Sequence, residues 1–240
     1  MIKVIVSMSI VLCTILLIFK LPVLAKFVNF DVSRNPYITN QFKYQLLLVI
    51  SAIITVAIVF TLNSENAYTY LSLGNLSAPA NAVPVFGIHD KESWFGLGVS
   101  LSLFITIITS VFIYFQIKGS EVVLGQLGPY LGWIILFSLM NSLSEEAIFR
   151  LGILASLNGV LSPENIMLIS AIIFGIAHYG GMPNGVIGIL MASVLGWLLM
   201  KSVLETHGLF WAFFIHFLQD IIIFGGIILS STTSITQVQN

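Results

Sequence analysis

Long apolar runs alternate with short polar breaks along this chain, and the runs have the length of membrane spans. A helix needs about 20 predominantly apolar residues to cross the hydrocarbon core of a bilayer. By that criterion seven segments qualify as candidates: residues 3–20, 44–63, 95–117, 130–157, 165–179, 184–201 and 208–230. Turn-forming residues punctuate them: Arg34-Asn35-Pro36, the stretch Pro79 to Pro84, Gly128-Pro129, Pro163, and Gly180-Gly181-Met182-Pro183. The pattern predicts an all-α fold, a polytopic transmembrane helical bundle of about seven spans. The first segment follows Lys3 and is succeeded by Lys20, Pro22 and Lys26 without a small-x-small cleavage pattern, so it is expected to be a retained span. The long break 64–93 is nearly uncharged at its centre and suited to the membrane interface. The tail 231–240, rich in Ser, Thr and Gln, is expected to fray.

Composition sharpens this picture. The 240 residues are 58% hydrophobic and only 8% charged, against about 25% charged in a soluble domain. The net charge of −1 supplies no basic patch to meet phosphate, which argues against a nucleic-acid partner. The bilayer itself is the first partner. Cys13 is the single cysteine, so no intramolecular disulfide can form, and core packing is the expected role. If the 20–43 break is cytoplasmic, that side holds Lys20, Lys26, Arg34, Lys43 and Lys118 against Lys3, Lys91 and Lys201 outside. The positive-inside rule then favours an external N-terminus.

Charge is unevenly placed. Inside the expected spans lie only Glu145, Glu146, Arg150 and Asp220, and the other formal charges fall in breaks or at span ends. An ionisable group at bilayer depth costs about 2.5–3.5 kcal/mol by insertion scales, so it persists where it faces a polar cavity or a partner. Glu146 and Arg150 are four residues apart and share a helix face. Glu145 points about 100° away and lacks an obvious cationic partner on its own helix, which suits a carboxylate to general-base work. His178 follows 33 residues after Glu145, and the midpoint of the pair coincides with the polar turn between Asn158 and Asn165. In an antiparallel hairpin both residues then lie at one depth, about 20 Å from that turn. The seventh span begins on the same side, which puts His216 and Asp220 about 12 and 18 Å deep, again four residues apart. The expected site therefore lies between spans 4, 5 and 7. Glu145, His178 and His216 could equally form a His₂Glu zinc site, although no H-E-x-x-H helix is present. His89 and His207 read as solvated. Ser142 and Ser144 read as helix-bonding or cavity-lining. Gly188, Ala192 and Gly196 make a small-xxx-small packing stripe on the sixth span.

Three short motifs, taken together, resemble a known family. Glu145-Glu146-Ala147-Ile148-Phe149-Arg150 is similar to the EExxxR motif of the CAAX-protease and bacteriocin-processing (CPBP, or Abi) intramembrane proteases. Phe174-Gly175-Ile176-Ala177-His178 resembles their FxxxH motif, and His216-Phe217-Leu218-Gln219-Asp220 their HxxxN or HxxxD motif. The motifs occur in order, one per helix, over about 141–224, and no motif aligns in the first three spans. The resemblance implies an endopeptidase cutting near the membrane. In that reading Glu145 and His178 activate water, His216 and Asp220 stabilise the oxyanion, and Glu146 and Arg150 shape the site. Position 220 departs from the commoner Asn: an Asn amide donates to an oxyanion and an ionised Asp does not. Asp220 would then act protonated or orient His216. The resemblance leaves a glutamic-type, metal-free site and a zinc site both open.

These readings divide the chain into an N-terminal transmembrane region (1–127), a catalytic helical core (128–230) and a polar tail (231–240). The leading function is an intramembrane endopeptidase of the bacterial plasma (inner) membrane, acting on a membrane-associated protein or peptide. Two competing functions are a non-catalytic bacteriocin-immunity or phage-defence protein on the same scaffold, and a proton-coupled transporter using Glu145, His178 and Asp220 as a relay. The absence of an inverted repeat weighs against the transporter.

Overall fold

The computed structural model describes residues 2–118, 124–181 and 183–239, without the side chains of residues 124, 126 and 232–239. The protein is helical almost throughout. The helices are α1 (Ile2–Ile18), α2 (Leu21–Leu24), α3 (Pro36–Leu62), α4 (Ser64–Tyr70), α5 (Trp94–Ile117), α6 (Leu131–Glu145), α7 (Ile153–Leu157), α8 (Pro163–Ala177), α9 (Gly185–Thr206) and α10 (Phe210–Gln239). A π-helical turn, Glu146–Gly152, joins α6 to α7. Two short strands, β1 (Pro79–Ala80) and β2 (Glu92–Ser93), pair antiparallel, with Pro79 opposite Ser93.

Local sequence explains the starts. Asn35 caps α3 by accepting from the Tyr37 N–H at 2.9 Å, with Pro36 in the first helical position. Ser93 caps α5 and Ser162 caps α8 in the same manner, again with a proline, Pro163, opening α8.

All seven apolar segments are helical, but they are unequal. Among the described residues, five helical stretches, including Leu127–Leu157 through the π turn, are long and apolar enough to cross a bilayer. The first segment is a pair bent by 55° between Ile18 and Leu21, at Lys20 and Pro22. The fifth, α8, has only 15 residues and ends at His178, inside the protein. Outward faces are apolar: Leu103, Phe104 and Ile107 on α5 and Val186, Ile187 and Leu190 on α9 are each at least 59% exposed, a surface that needs lipid. This is an integral membrane protein.

Four expectations change. Cys13 is exposed on the outer face of α1. That helix is apolar all round, so hydropathy could not choose its inner face. Lys43 is buried two turns into α3, opposite Asp31 at 3.7 Å, because the Asn35 cap starts the helix earlier than hydropathy suggests. Lys201 and Glu205 lie within α9 and form a buried ion pair. The tail continues α10 as helix to Gln239, past the start of the expected fraying.

The close approach that positions the site is between α8 and α9. A Cβ on Gly175 would stand 1.9 Å from Ser193 Oγ and 2.8 Å from the Ile189 carbonyl oxygen, so only glycine fits there. Gly196, in the small-residue stripe, receives Phe174. The main apolar core joins α1, α3, α7, α8, α9 and the π turn, and a second cluster around Trp94 and Trp211 seats the β hairpin at one end of the bundle.

Candidate active site

Glu145 closes α6 and Glu146 opens the π turn. Such turns widen a helix locally and cluster at functional sites. His178 is the C-cap residue of α8, while His216 and Asp220 lie on consecutive turns of α10. The fold brings all of these groups and Arg150 into one buried polar cluster.

His216 is the hub. Its Nδ1–H donates to Glu146 Oε1 at 2.8 Å, and its Nε2 faces Glu145 Oε2 and Asp220 Oδ2, each at 3.7 Å. The imidazole is thus inserted between two carboxylates that diverge on their own helix. On the other side of Glu146, Oε2 lies 3.1 Å from Arg150 Nε, an ion pair without the alignment of a hydrogen bond. Arg150 is fully buried, donates to Ser170 Oγ at 3.1 Å, and stacks 4.2 Å from the centre of the Phe174 ring. His178 donates from Nδ1 to the Phe174 carbonyl at 2.8 Å. That bond fixes the tautomer and turns Nε2 toward Glu145 Oε2, 3.8 Å away. Glu145 Oε2 is buried, faces both imidazole Nε2 atoms and takes no hydrogen bond from a protein group. A separation above 3.5 Å between such groups is the place to expect a bridging water.

Two details of the sequence reading are corrected. Glu146 does not serve Arg150 alone: it also holds His216, so His216 is oriented by Glu146 rather than by Asp220. The counted depth puts His216 about 8 Å from the Glu145–His178 layer, yet its Nε2 lies 3.7 Å from Glu145. Counting assumes uniform α-helical rise, and seven π-helical residues between Glu145 and the 158–162 turn bring Glu145 closer to that turn. His89 and His207 are exposed, as expected, and Ser142 bonds back to the Ser138 carbonyl at 2.6 Å.

Other participants were not singled out by the motifs. Asn141 donates to Asp220 Oδ2 at 3.1 Å and accepts from Gln45 Nε2 at 3.2 Å. A signal existed: Asn141 stands one helical turn before Glu145, on its face, in an otherwise apolar stretch. Gln45 is an amide inside an apolar span, and only the packing of α3 on α6 reveals its partner. Phe174 is the platform of the cluster, touching His178, His216 and Arg150.

A cavity of about 800 Å³ adjoins the cluster, with walls from α5, α8, α9 and α10. Its lining is mostly apolar; His178, His216, Gln219 and Asp220 supply polar groups on the side of the cluster, and Glu92, Ser100, Thr109 and Gln116 line it elsewhere. Its rim includes Phe104, Leu190 and Val194, which face lipid. The His178 side chain retains 30% exposure, in contrast to 4% for His216.

For a metal, the candidate ligands are Glu145, His178 and His216. Zinc requires nitrogen and oxygen donors about 2.0–2.2 Å from one ion. Among the described residues no group of three or more His, Cys, Asp and Glu side chains is arranged to hold a metal ion. His178 and His216 each bond through Nδ1, to the Phe174 carbonyl and to Glu146, and leave Nε2 facing Glu145 Oε2, so these three are the residues that would hold an ion.

Comparison with known proteins adds one result. Residues 127–222 match the family model described as type II CAAX prenyl endopeptidase, Rce1-like. This stretch contains all three motifs, and the resemblance to the CPBP family that they carry is shown over it. The family is one of proteases, so a CAAX-type intramembrane protease is supported at family level. No curated protein and no solved structure matches the chain.

Proposed function

We propose that this protein is a glutamic-type intramembrane endopeptidase that hydrolyses a peptide bond of a membrane-associated protein or peptide, without a metal. The observation that carries the reading is Glu145 Oε2, a buried carboxylate oxygen facing two imidazole nitrogens at 3.7 and 3.8 Å with no protein donor of its own. A water held between Glu145 and His178 loses a proton to Glu145 as its oxygen attacks the scissile carbonyl. His178 suits this placement because its Nδ1–H is committed to Phe174, which leaves Nε2 to accept from the water.

The tetrahedral oxyanion forms beside His216 and Asp220, both of which line the cavity. For His216 Nε2 to donate to it while Nδ1 donates to Glu146, the ring must carry both protons. Glu146 and Asp220 are placed to compensate that charge. The C–N bond then breaks, and the proton taken from water passes to the leaving amine. Arg150 acts at one remove by holding Glu146. The lipid-facing, apolar cavity suits a substrate whose cleaved bond follows a hydrophobic or lipid-bearing segment, and a bacterial plasma membrane is the expected setting.

The test is cleavage in liposomes of prenylated and unprenylated membrane-anchored peptide reporters. Glu145→Gln keeps the side-chain shape but cannot take the proton, so the rate is expected to fall about 10²–10⁴-fold. Turnover by Glu145→Gln close to wild type overturns the assignment.

A further inference from the structure

The motif-free N-terminal half reaches the site through one polar chain. Gln45 on α3 donates to Asn141 on α6, and Asn141 donates to Asp220 on α10, over 3.2 and 3.1 Å. The order of donors is forced. A carboxylate oxygen accepts, so the Asn141 amide must present Nδ2 to Asp220. Its Oδ1 is thereby turned to Gln45, which must present Nε2. Gln45 is fully buried and Asp220 is 5% exposed, so neither has bulk water as an easy alternative partner. The Gln45 Oε1 atom is left without a hydrogen bond, a cost the fold bears to keep the chain in this direction.

Asp220 otherwise has little to hold it. His216 Nε2 is 3.7 Å away, beyond hydrogen-bond length, and Arg150 is committed to Glu146 and Ser170. Asn141 is therefore the protein group that orients the Asp220 carboxyl. We propose that Asn141, aligned by Gln45, is a positioning residue for the hydrolysis: it fixes Asp220 Oδ2 as an acceptor and so holds the Asp220 carboxylate beside His216, where it balances the charge of the ring that donates to the oxyanion. This inference rests on the protease reading above. It also gives a physical meaning to the departure at position 220. An acid there works with an amide at 141, and an amide at 220 would work with an acid at 141, because either order supplies one donor and one acceptor across α6 and α10.

Exchanging the two groups tests this in a way that a structural role alone does not predict. Asn141→Asp sets two carboxyls against each other. It is expected to lower kcat at least about tenfold, the size of one buried hydrogen bond lost, with KM unchanged within error. Asn141→Asp combined with Asp220→Asn restores a donor–acceptor pair and still accepts from Gln45, so its kcat should exceed that of Asn141→Asp alone by about threefold or more, although the charge at 220 is lost. Gln45→Leu, which frees Asn141 to rotate, should lower kcat by less than Asn141→Asp. All variants are compared at equal amounts of folded protein in liposomes, with Glu145→Gln as the inactive reference. If wild type cleaves in a Glu145-dependent way but the exchange is no better than Asn141→Asp, the positioning role falls while the protease reading stands. If cleavage does not depend on Glu145, both fall.

Discussion

Two buried ion-pair clusters lie within this one bundle, and they are built to opposite rules. Each contains a Lys or Arg and a Glu four residues apart on a helix, and each is shielded from water. At the end of α9, Lys201 pairs with Glu205 and donates to the Asn81 carbonyl at 2.9 Å. Glu205 Oε1 accepts from the Asn81 backbone and side chain, and its Oε2 accepts from Trp94 Nε1 at 2.8 Å. Both carboxylate oxygens have partners, and the cluster ties the β hairpin to α9. Around Glu145 the reverse holds: Glu145 Oε2, Glu146 Oε2, Arg150 Nε and Arg150 Nη2 are buried without hydrogen bonds, beside a cavity. Buried polar groups are ordinarily satisfied, and a fully satisfied network rigidifies. Glu146 Oε2 and Arg150 Nε face each other as an ion pair, whereas Glu145 Oε2, next to the cavity-lining His178 and His216, keeps its hydrogen-bonding capacity for something that arrives. The α9 cluster is a clasp; the α6–α8–α10 cluster is a workplace.

After Glu145→Gln, the largest expected effect separates the two at once. His216→Ala removes an oxyanion donor and should reduce cleavage on the order of 10²–10³-fold, whereas no substitution in the clasp should lower the rate per folded molecule comparably. Lys201→Met leaves the Glu205 charge without its cation. By analogy with buried pairs in soluble proteins it should cost about 3–5 kcal/mol of stability, read as a lower unfolding temperature in detergent. Lys201→Met with Glu205→Gln should recover part of that loss, and a double variant no better than Lys201→Met contradicts the pairing. Gly175→Ala drives a methyl into Ser193 and the Ile189 carbonyl and should cost about 1–3 kcal/mol through overpacking. Because Gly175 sits between Phe174 and His178, cleavage should fall as well. The smallest effect is expected from chelation: exhaustive removal of divalent metals should leave cleavage unchanged. Stoichiometric zinc in the purified protein, whose removal abolishes activity and whose return restores it, would overturn the metal-free mechanism.

Apolar run length is a one-dimensional property, and it located every long helix. It also bounded the fifth segment at 165–179, close to the end of α8 at Ala177, but counted it as a span although its 15 residues fall short of the length that crosses a bilayer. Spacing within a helix fixed the Glu146–Arg150 pair, because i,i+4 neighbours meet whatever the tertiary fold. It missed Glu146–His216, which depends on how α10 is rotated against α6. Asn141 and Gln45 lie 96 residues apart, and no local pattern connects them. Lys201–Glu205 is also an i,i+4 pair, but its position near a span end made it look solvated. Only the β hairpin folding over it, with Trp94 and Asn81, buries it.

Measuring cleavage and unfolding on the same reconstituted Glu145→Gln protein addresses the central claim most directly. Reactive capacity held in reserve means that the rate falls at least about 100-fold while the unfolding temperature stays at the wild-type value, since Glu145 Oε2 has no protein hydrogen bond to lose. A variant that cleaves normally, or one that loses activity only because it unfolds, contradicts the account.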